Sequence, residues 1–289
     1  IDGQLFVVKP NIRVSSFPYT GGIKEFENSI SLTDDPLISN IKNNGGIIVG
    51  STNMDEAAFG GDTSSSFYGR CINPINKQLS VGGSSGGSAA AISSGIVKYS
   101  IGTDTMGSVR IPASYCGIIG YKPSSLLCSN KDLILLSHTY DSIGFMSNKV
   151  SNINNIFNII NSFNYKNKKS VKRIEKLKCI IPTQALEGDI SPDVLQDFKF
   201  IISKLKKNKI DFEMKRLDCW SPDYHRRSLL KIIENEGAQN LNELINNNKS
   251  KITINLRNNL LFGKNITNET IKTLKHDLKD LKKRIISTF

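Results

Sequence analysis

At 289 residues, 38% of them hydrophobic and 22% charged, the chain has enough apolar material for one large α/β core or two small ones. No run reaches the roughly 18 uninterrupted apolar residues that a membrane helix needs, and the first residues carry no basic stretch leading into an apolar one, so neither a membrane protein nor a signal peptide is expected. The net charge of +12 is lopsided: up to Val150 there are 11 Lys+Arg against 11 Asp+Glu, and from Ser151 onward 27 against 15.

Leu5 to Val8 reads as a short buried strand that delivers Lys9-Pro10. Thr33 and the acidic pair Asp34-Asp35 open a helix to Asn43, which Asn44-Gly45-Gly46 closes before a strand at Ile47 to Val49. From Ser84 to Val97 small residues suit a tightly packed helix entered from a glycine-serine loop, followed by a strand at Lys98 to Gly102. Ile111 to Gly117 fits a helical turn with Pro112 near its start, and Ile118-Ile119 then points to the core. Val150 to Phe163 has helix-spaced apolar residues, and Leu177 to Ile181 reads as a strand. Ser191-Pro192 opens a helix to about Lys207, Ile210 to Leu217 alternates like a strand, and two more helices follow, around His225 to Ile245 and from Thr267 to the end. Strands alternating with helices predict an α/β fold with its sheet covered on both faces. The composition shift near Val150 brings no linker, so residues 1–289 are expected to form one domain, with the motifs in 1–150 and a basic second half in 151–289.

The positive excess therefore lies away from the motifs, in an Asn/Lys/Ile-rich half, and is read as solvated helix faces. A nucleic-acid partner is not expected, although a polyanion-binding surface is the alternative. Cys71, Cys116, Cys128, Cys179 and Cys219 are odd in number and form no CxxC pair, and no histidine stands at zinc-ligand spacing from any of them. Reduced thiols in a cytoplasmic protein, with no metal and no cofactor, are the expectation.

Two segments carry chemistry. In Gly82-Gly83-Ser84-Ser85-Gly86-Gly87-Ser88-Ala89-Ala90-Ala91 the glycines permit unusual backbone angles and a close approach of substrate. A flexible linker would not run straight into a small-residue helix, and a phosphate loop would need lysine where Ser88 stands. A nucleophile elbow around Ser84 would need a histidine partner, and His138, His225 and His276 stand in no recognisable setting. The second segment is Gly102-Thr103-Asp104-Thr105-Met106-Gly107-Ser108-Val109-Arg110-Ile111-Pro112-Ala113-Ser114. A serine on a tight turn entering a helix can present its hydroxyl where several backbone N–H groups converge, and such an oxyanion hole is worth about 3–4 kcal/mol per well-placed donor.

Together with Leu5 to Lys9, Thr52-Asn53-Met54-Asp55-Glu56 and Gly120-Tyr121-Lys122-Pro123, these segments resemble the amidase signature family in order and spacing. The resemblance is specific from Ile1 to about Met146 and weaker beyond, where Pro182 to Pro192 and Glu236-Gly237-Ala238 also match. It implies a mixed twisted β-sheet covered by helices on both faces, incomplete at both ends, because the family has a helix before the lysine motif and more chain after the point where Phe289 stands. It also implies a catalytic triad of Lys9, Ser84 and Ser108, with a cis peptide between Gly83 and Ser84. Ser108 would be the nucleophile, Ser84 the proton bridge, and the N–H groups of Thr105, Met106, Gly107 and Ser108 the oxyanion hole; Gly83, Ser85, Asp104 and Arg110 would support them. Lys9 can act as a base only when neutral, so burial beside Leu5 to Val8 has to lower its pKa from near 10.4.

The chain departs from the family at Pro10, where a polar residue is usual, and at Met106, where glycine is. The family includes free-standing amidases and the A subunit of the tRNA-dependent amidotransferase, which works with B and C subunits. Ile111 stands where those subunits carry glutamine, and Ser124 to Tyr140 departs from their glycine-rich stretch. The expectation is an amidase cleaving the C–N bond of a small linear carboxamide, free-standing or as a homo-oligomer. The alternatives are a non-catalytic scaffold on a degenerate amidase fold and the amidotransferase's A subunit.

Overall fold

The structure is a computed structural model that describes residues 1–124, 128, 130–164, 178–247 and 249–288. Leu177 and Phe289, at the ends of two predicted elements, and residues 125–127 and 129 of the stretch Ser124 to Tyr140, lie outside the described residues. The chain forms two compact units, one of Ile1–Lys166 with Ile233–Asn265, the other of Asn167–Ile232 with Ile266–Phe289.

The first unit is built on five strands, β1 (Leu5–Val8), β2 (Ile47–Ser51), β3 (Tyr99–Asp104), β4 (Ile119–Tyr121) and β5 (Ser142–Ser147), in the order β2-β1-β3-β5-β4. β1 runs parallel to β2 and β3, and β5 runs antiparallel to β3 and β4, so the sheet is mixed. Successive side chains of a strand point to opposite faces, and β1 uses both. Phe6 and Val8 join a core with Leu37, Ile38 and Ile41 of α1 (Pro36–Asn43) and Ile153, Ile156 and Ile160 of α4 (Val150–Asn164). Val7 joins the opposite core with Ala89 and Ile92 of α2 (Gly86–Ser93) and Ala113 of α3 (Arg110–Tyr115). Helices therefore cover both faces, as the sequence predicts.

α1 begins two residues later than expected, because Asp35 is its cap, accepting from the Leu37 N–H at 2.8 Å. α2 is shorter than expected: Ser84 precedes it, and only Gly86–Ser93 is helical. β5 was not foreseen. Its Ser142-Ile143-Gly144-Phe145-Met146-Ser147 run is buried on both faces and so lacks the alternation that marks a half-exposed strand. A third cluster joins Ile23 and Ala57 to Ala238, Leu241, Leu244 and Ile245, around α7 (Asn242–Asn246), and to Leu256 and Leu260 of α8 (Ile254–Lys264), a helix that lies between the two expected around His225 to Ile245 and from Thr267 onward.

The second unit contains β6 (Lys178–Pro182), α5 (Pro192–Lys207) and a parallel β7 (Asp211–Lys215), with α9 (Asn268–Ile286). Ser191 caps α5 through the Val194 N–H and Pro192 is its first residue, as the dipeptide predicts. α6 (Pro222–Asn240) contributes residues to both units. Among the described residues no helix is long and apolar enough to cross a membrane.

Candidate active site

β1 ends by pushing Lys9 into the protein: the residue is fully buried and its N–H bonds to the Ile101 carbonyl of β3. The Lys9 Nζ donates to Ser84 Oγ at 2.8 Å and to Thr103 Oγ1 at 2.9 Å. Thr103 Oγ1 also accepts from Asn11 Nδ2 at 3.1 Å. Burial pushes the Lys9 amine down to about 7, although the carboxylates of Asp55, Asp141 and Asp104 pull the other way. A neutral amine is thereby available near physiological pH.

Ser84 follows a cis peptide bond to Gly83, as the resemblance implies, and is fully buried. The glycines of this motif have a packing reason. A Cβ on Gly83 would lie 2.3 Å from Asp55 Oδ2 and 2.6 Å from the Asp62 nitrogen, and one on Gly87 would lie 2.4 Å from the Asn53 nitrogen. The Asp55 carboxylate, also buried, is held by the Thr63 N–H at 3.0 Å and by Ser65 Oγ at 2.9 Å.

Ser108 follows β3 on the turn that enters α3, and the Ser85 N–H donates to its carbonyl at 3.2 Å, which joins the two motifs. Ser85 Oγ also bonds to the Thr103 carbonyl at 3.2 Å. The Lys9 amine and the Ser84 hydroxyl are thus brought into contact. The Ser108 hydroxyl is placed on the adjoining turn, 8% exposed for the residue as a whole, and hydrogen-bonds to no group among the described residues.

Asp104 organises that turn from inside. Its carboxylate accepts from the Gly107 N–H at 2.8 Å, from the Val109 N–H at 3.2 Å, and from Arg110 Nε and Nη2 at 3.0 and 2.9 Å. Burial would raise the Asp104 carboxyl, but Arg110 and the two N–H groups outweigh it and hold it below its ordinary value. The Gly107 N–H is therefore already engaged, whereas those of Thr105, Met106 and Ser108 donate to no group among the described residues.

Three side chains that sequence reasoning did not single out meet this site. Thr103 stood within the second motif but was given no role, and Asn11 lies two residues past Lys9. Asp141 carried no local signal, because its contacts are with residues distant in the chain.

Fold and site define a mixed α/β protein with a buried lysine–serine pair beside a serine-bearing turn. A model of the Amidase family matches residues 1–286, and the chain belongs to that family. Among curated proteins it is similar to the A subunit of glutamyl-tRNA(Gln) amidotransferase from Endomicrobium trichonymphae, 45% identical over 152 residues that make up 53% of this chain and 31% of that protein. It is also similar to indoleacetamide hydrolase of Pseudomonas syringae pv. syringae, 42% identical over 139 residues, 48% of this chain and 31% of that one. These matches span about a third of the relatives' length. The fold is that of a crystal structure of an amidase, with a TM-score of 0.89 at 23% identity over 99% of this chain and 64% of that one. The A subunit of glutamyl-tRNA(Gln) amidotransferase from Thermotoga maritima gives 0.79 at 25% identity, covering 100% of this chain and 66% of that one.

Proposed function

We propose that the protein is an amidohydrolase that cleaves the C–N bond of a small carboxamide through an acyl-enzyme on Ser108. The observation that carries this reading is the fully buried Lys9 amine, titrating at about 7, at 2.8 Å from Ser84 Oγ. Once the amine is neutral the same contact works in reverse, with the Ser84 hydroxyl donating to its lone pair. Ser108 Oγ bonds to the amide carbon, its proton passes to Ser84, and the proton of Ser84 passes to Lys9. When the tetrahedral intermediate collapses, the proton returns through Ser84 to the departing nitrogen, and the amine or ammonia leaves. Water then attacks the ester with the relay running again. The N–H groups of Thr105, Met106 and Ser108 hold the oxyanion, and catalytic hydrogen bonds such as Ser108 to Ser84 commonly tighten only once substrate is in place. Asp104, Arg110, Gly83 and Ser85 keep the two turns in register.

The test is ammonia release from a panel of simple carboxamides, with the acyl-enzyme trapped by acid quench and located by mass spectrometry. Turnover with the acyl group on Ser108, lost in Ser108→Ala, is expected; turnover that survives Ser108→Ala would overturn the assignment. A second reading, the glutaminase component of an amidotransferase, is favoured by the 45% identity to such a protein. It predicts ammonia release from glutamine only when B and C subunits are added, whereas the free-standing amidase predicts turnover by this protein alone.

A further inference from the structure

The register of the sheet sets a contact at the edge of the site. β3 and β5 are antiparallel and their ladder ends with Asp104 opposite Ser142. The next residues out along the two strands are Thr105 and Asp141, and their side chains meet: Thr105 Oγ1 donates to Asp141 Oδ1 at 2.6 Å. The other carboxylate oxygen accepts from the N–H groups of Leu136 and Ser137 at 2.8 and 3.1 Å. Asp141 is 3% exposed, and its backbone is fixed too, its N–H on the Ser137 carbonyl and its own carbonyl taking Asn130 Nδ2 at 3.1 Å. This is a rigidly held buried carboxyl group that grips the first residue of the turn bearing Ser108.

We propose that Asp141 is a positioning residue of the amidase reaction: through the Thr105 hydroxyl it fixes the oxyanion turn. The inference rests on the amidase reading of the preceding section. The turn is held on the inside by Asp104, whose carboxylate takes the N–H groups of Gly107, Val109 and Arg110 but not that of Thr105, so the Thr105 side chain is held by Asp141 instead. Burial raises the Asp141 carboxyl, with the Thr105, Ser137 and Leu136 hydrogen bonds and Lys9 opposing.

The experiment measures the second-order rate of fluorophosphonate labelling at Ser108 between pH 5.5 and 9, in wild type, Asp141→Asn, Thr105→Val and Thr105→Ser. Asparagine keeps the shape and can turn its amide oxygen to the two backbone N–H groups, but carries no charge. Asp141→Asn is expected to slow labelling about 10- to 100-fold at the plateau, in the range that misplaced catalytic groups cost. Thr105→Val keeps the charge and cuts the tether, so it is expected to slow labelling about 10-fold with the midpoint unmoved, and Thr105→Ser to recover most of that loss. Asp141→Asn labelling at the wild-type rate, or Thr105→Val labelling as fast as Thr105→Ser, would overturn the proposal. If Asp141→Asn does not fold, as judged by circular dichroism, the comparison of the two Thr105 variants decides alone. Wild type that fails to label at Ser108 would instead overturn the amidase reading, and this inference with it.

Discussion

A lysine amine accepts a proton only when it is uncharged, and an exposed lysine is charged almost throughout the physiological range. Lys9 escapes that limit because β1 carries it into the interior, where burial lowers it to about 7. Lys9→Met is therefore expected to cut labelling of Ser108 by about 1,000-fold or more, as loss of a general base typically does when it also drives the proton relay, and Ser84→Ala by a comparable factor. Arg110→Ala removes the bidentate partner of a fully buried carboxylate, which keeps only its backbone donors; a loss of about 1–3 kcal/mol in urea unfolding is expected, the usual range for a hydrogen bond to a charged group. Ser84 and Ser108 could be singled out in sequence because each stands in a glycine-bearing motif, whereas Lys9, between Val8 and Pro10, was named only through the resemblance those motifs carry. Thr103 and Asp141 were not singled out, because their meaning comes from Lys9, 94 residues away from Thr103, and from Thr105, 36 residues away from Asp141.

Elements were legible where their ends carry chemistry of their own. Ser191-Pro192 and Thr267 announce α5 and α9, and both helices start where those caps place them. β5 has no such punctuation, and its two buried faces erase the alternation that would have shown it. α1 offers a test at this scale. Its cap, Asp35, is 2% exposed, and its Oδ2 has no hydrogen-bond partner. Burial raises the carboxyl from 3.8 to about 6. A group whose folded pKa is raised favours the folded state while protonated and loses that advantage as pH rises through the folded value. Asp35→Asn keeps a cap of equal quality without the buried charge. It is expected to stabilise the protein by about 1–3 kcal/mol at pH 7, the order implied by a two-unit shift, with the gain fading as the pH falls below about 6 and gone below about 4. Thermal unfolding of both proteins at pH 4 and pH 7 checks this. Gly83→Ala and Gly87→Ala should each abolish labelling, since their Cβ atoms would meet Asp55 and the Asn53 backbone at 2.3 and 2.4 Å.

For the molecule as a whole, the proposed relay sets the function of Lys9 against stability. Its folded pKa lies below the unfolded value of 10.5, so the unfolded chain binds more protons between about pH 7 and 10.5 and stability rises across that window. Below pH 7 the cost of burying the cation is present in full. Lys9→Met should therefore be the more stable protein near pH 6, and its advantage should shrink steadily toward pH 10, a slope readable from urea unfolding at a series of pH values. The sheet covered by helices on both faces was predicted from the strand–helix alternation, and its mixed character from the resemblance alone, because nothing in a strand's own sequence states the direction of its neighbour. The family match runs from residue 1 to 286, across both units.

The decisive measurement is the pH dependence of fluorophosphonate labelling at Ser108 in wild type and Lys9→Met. Buried Lys9 acting through Ser84 predicts a wild-type rate that climbs with a midpoint near pH 7 and a variant rate that is low and flat. A wild-type rate independent of pH from 5.5 to 9, or a Lys9→Met profile that matches it, would contradict the proposed relay.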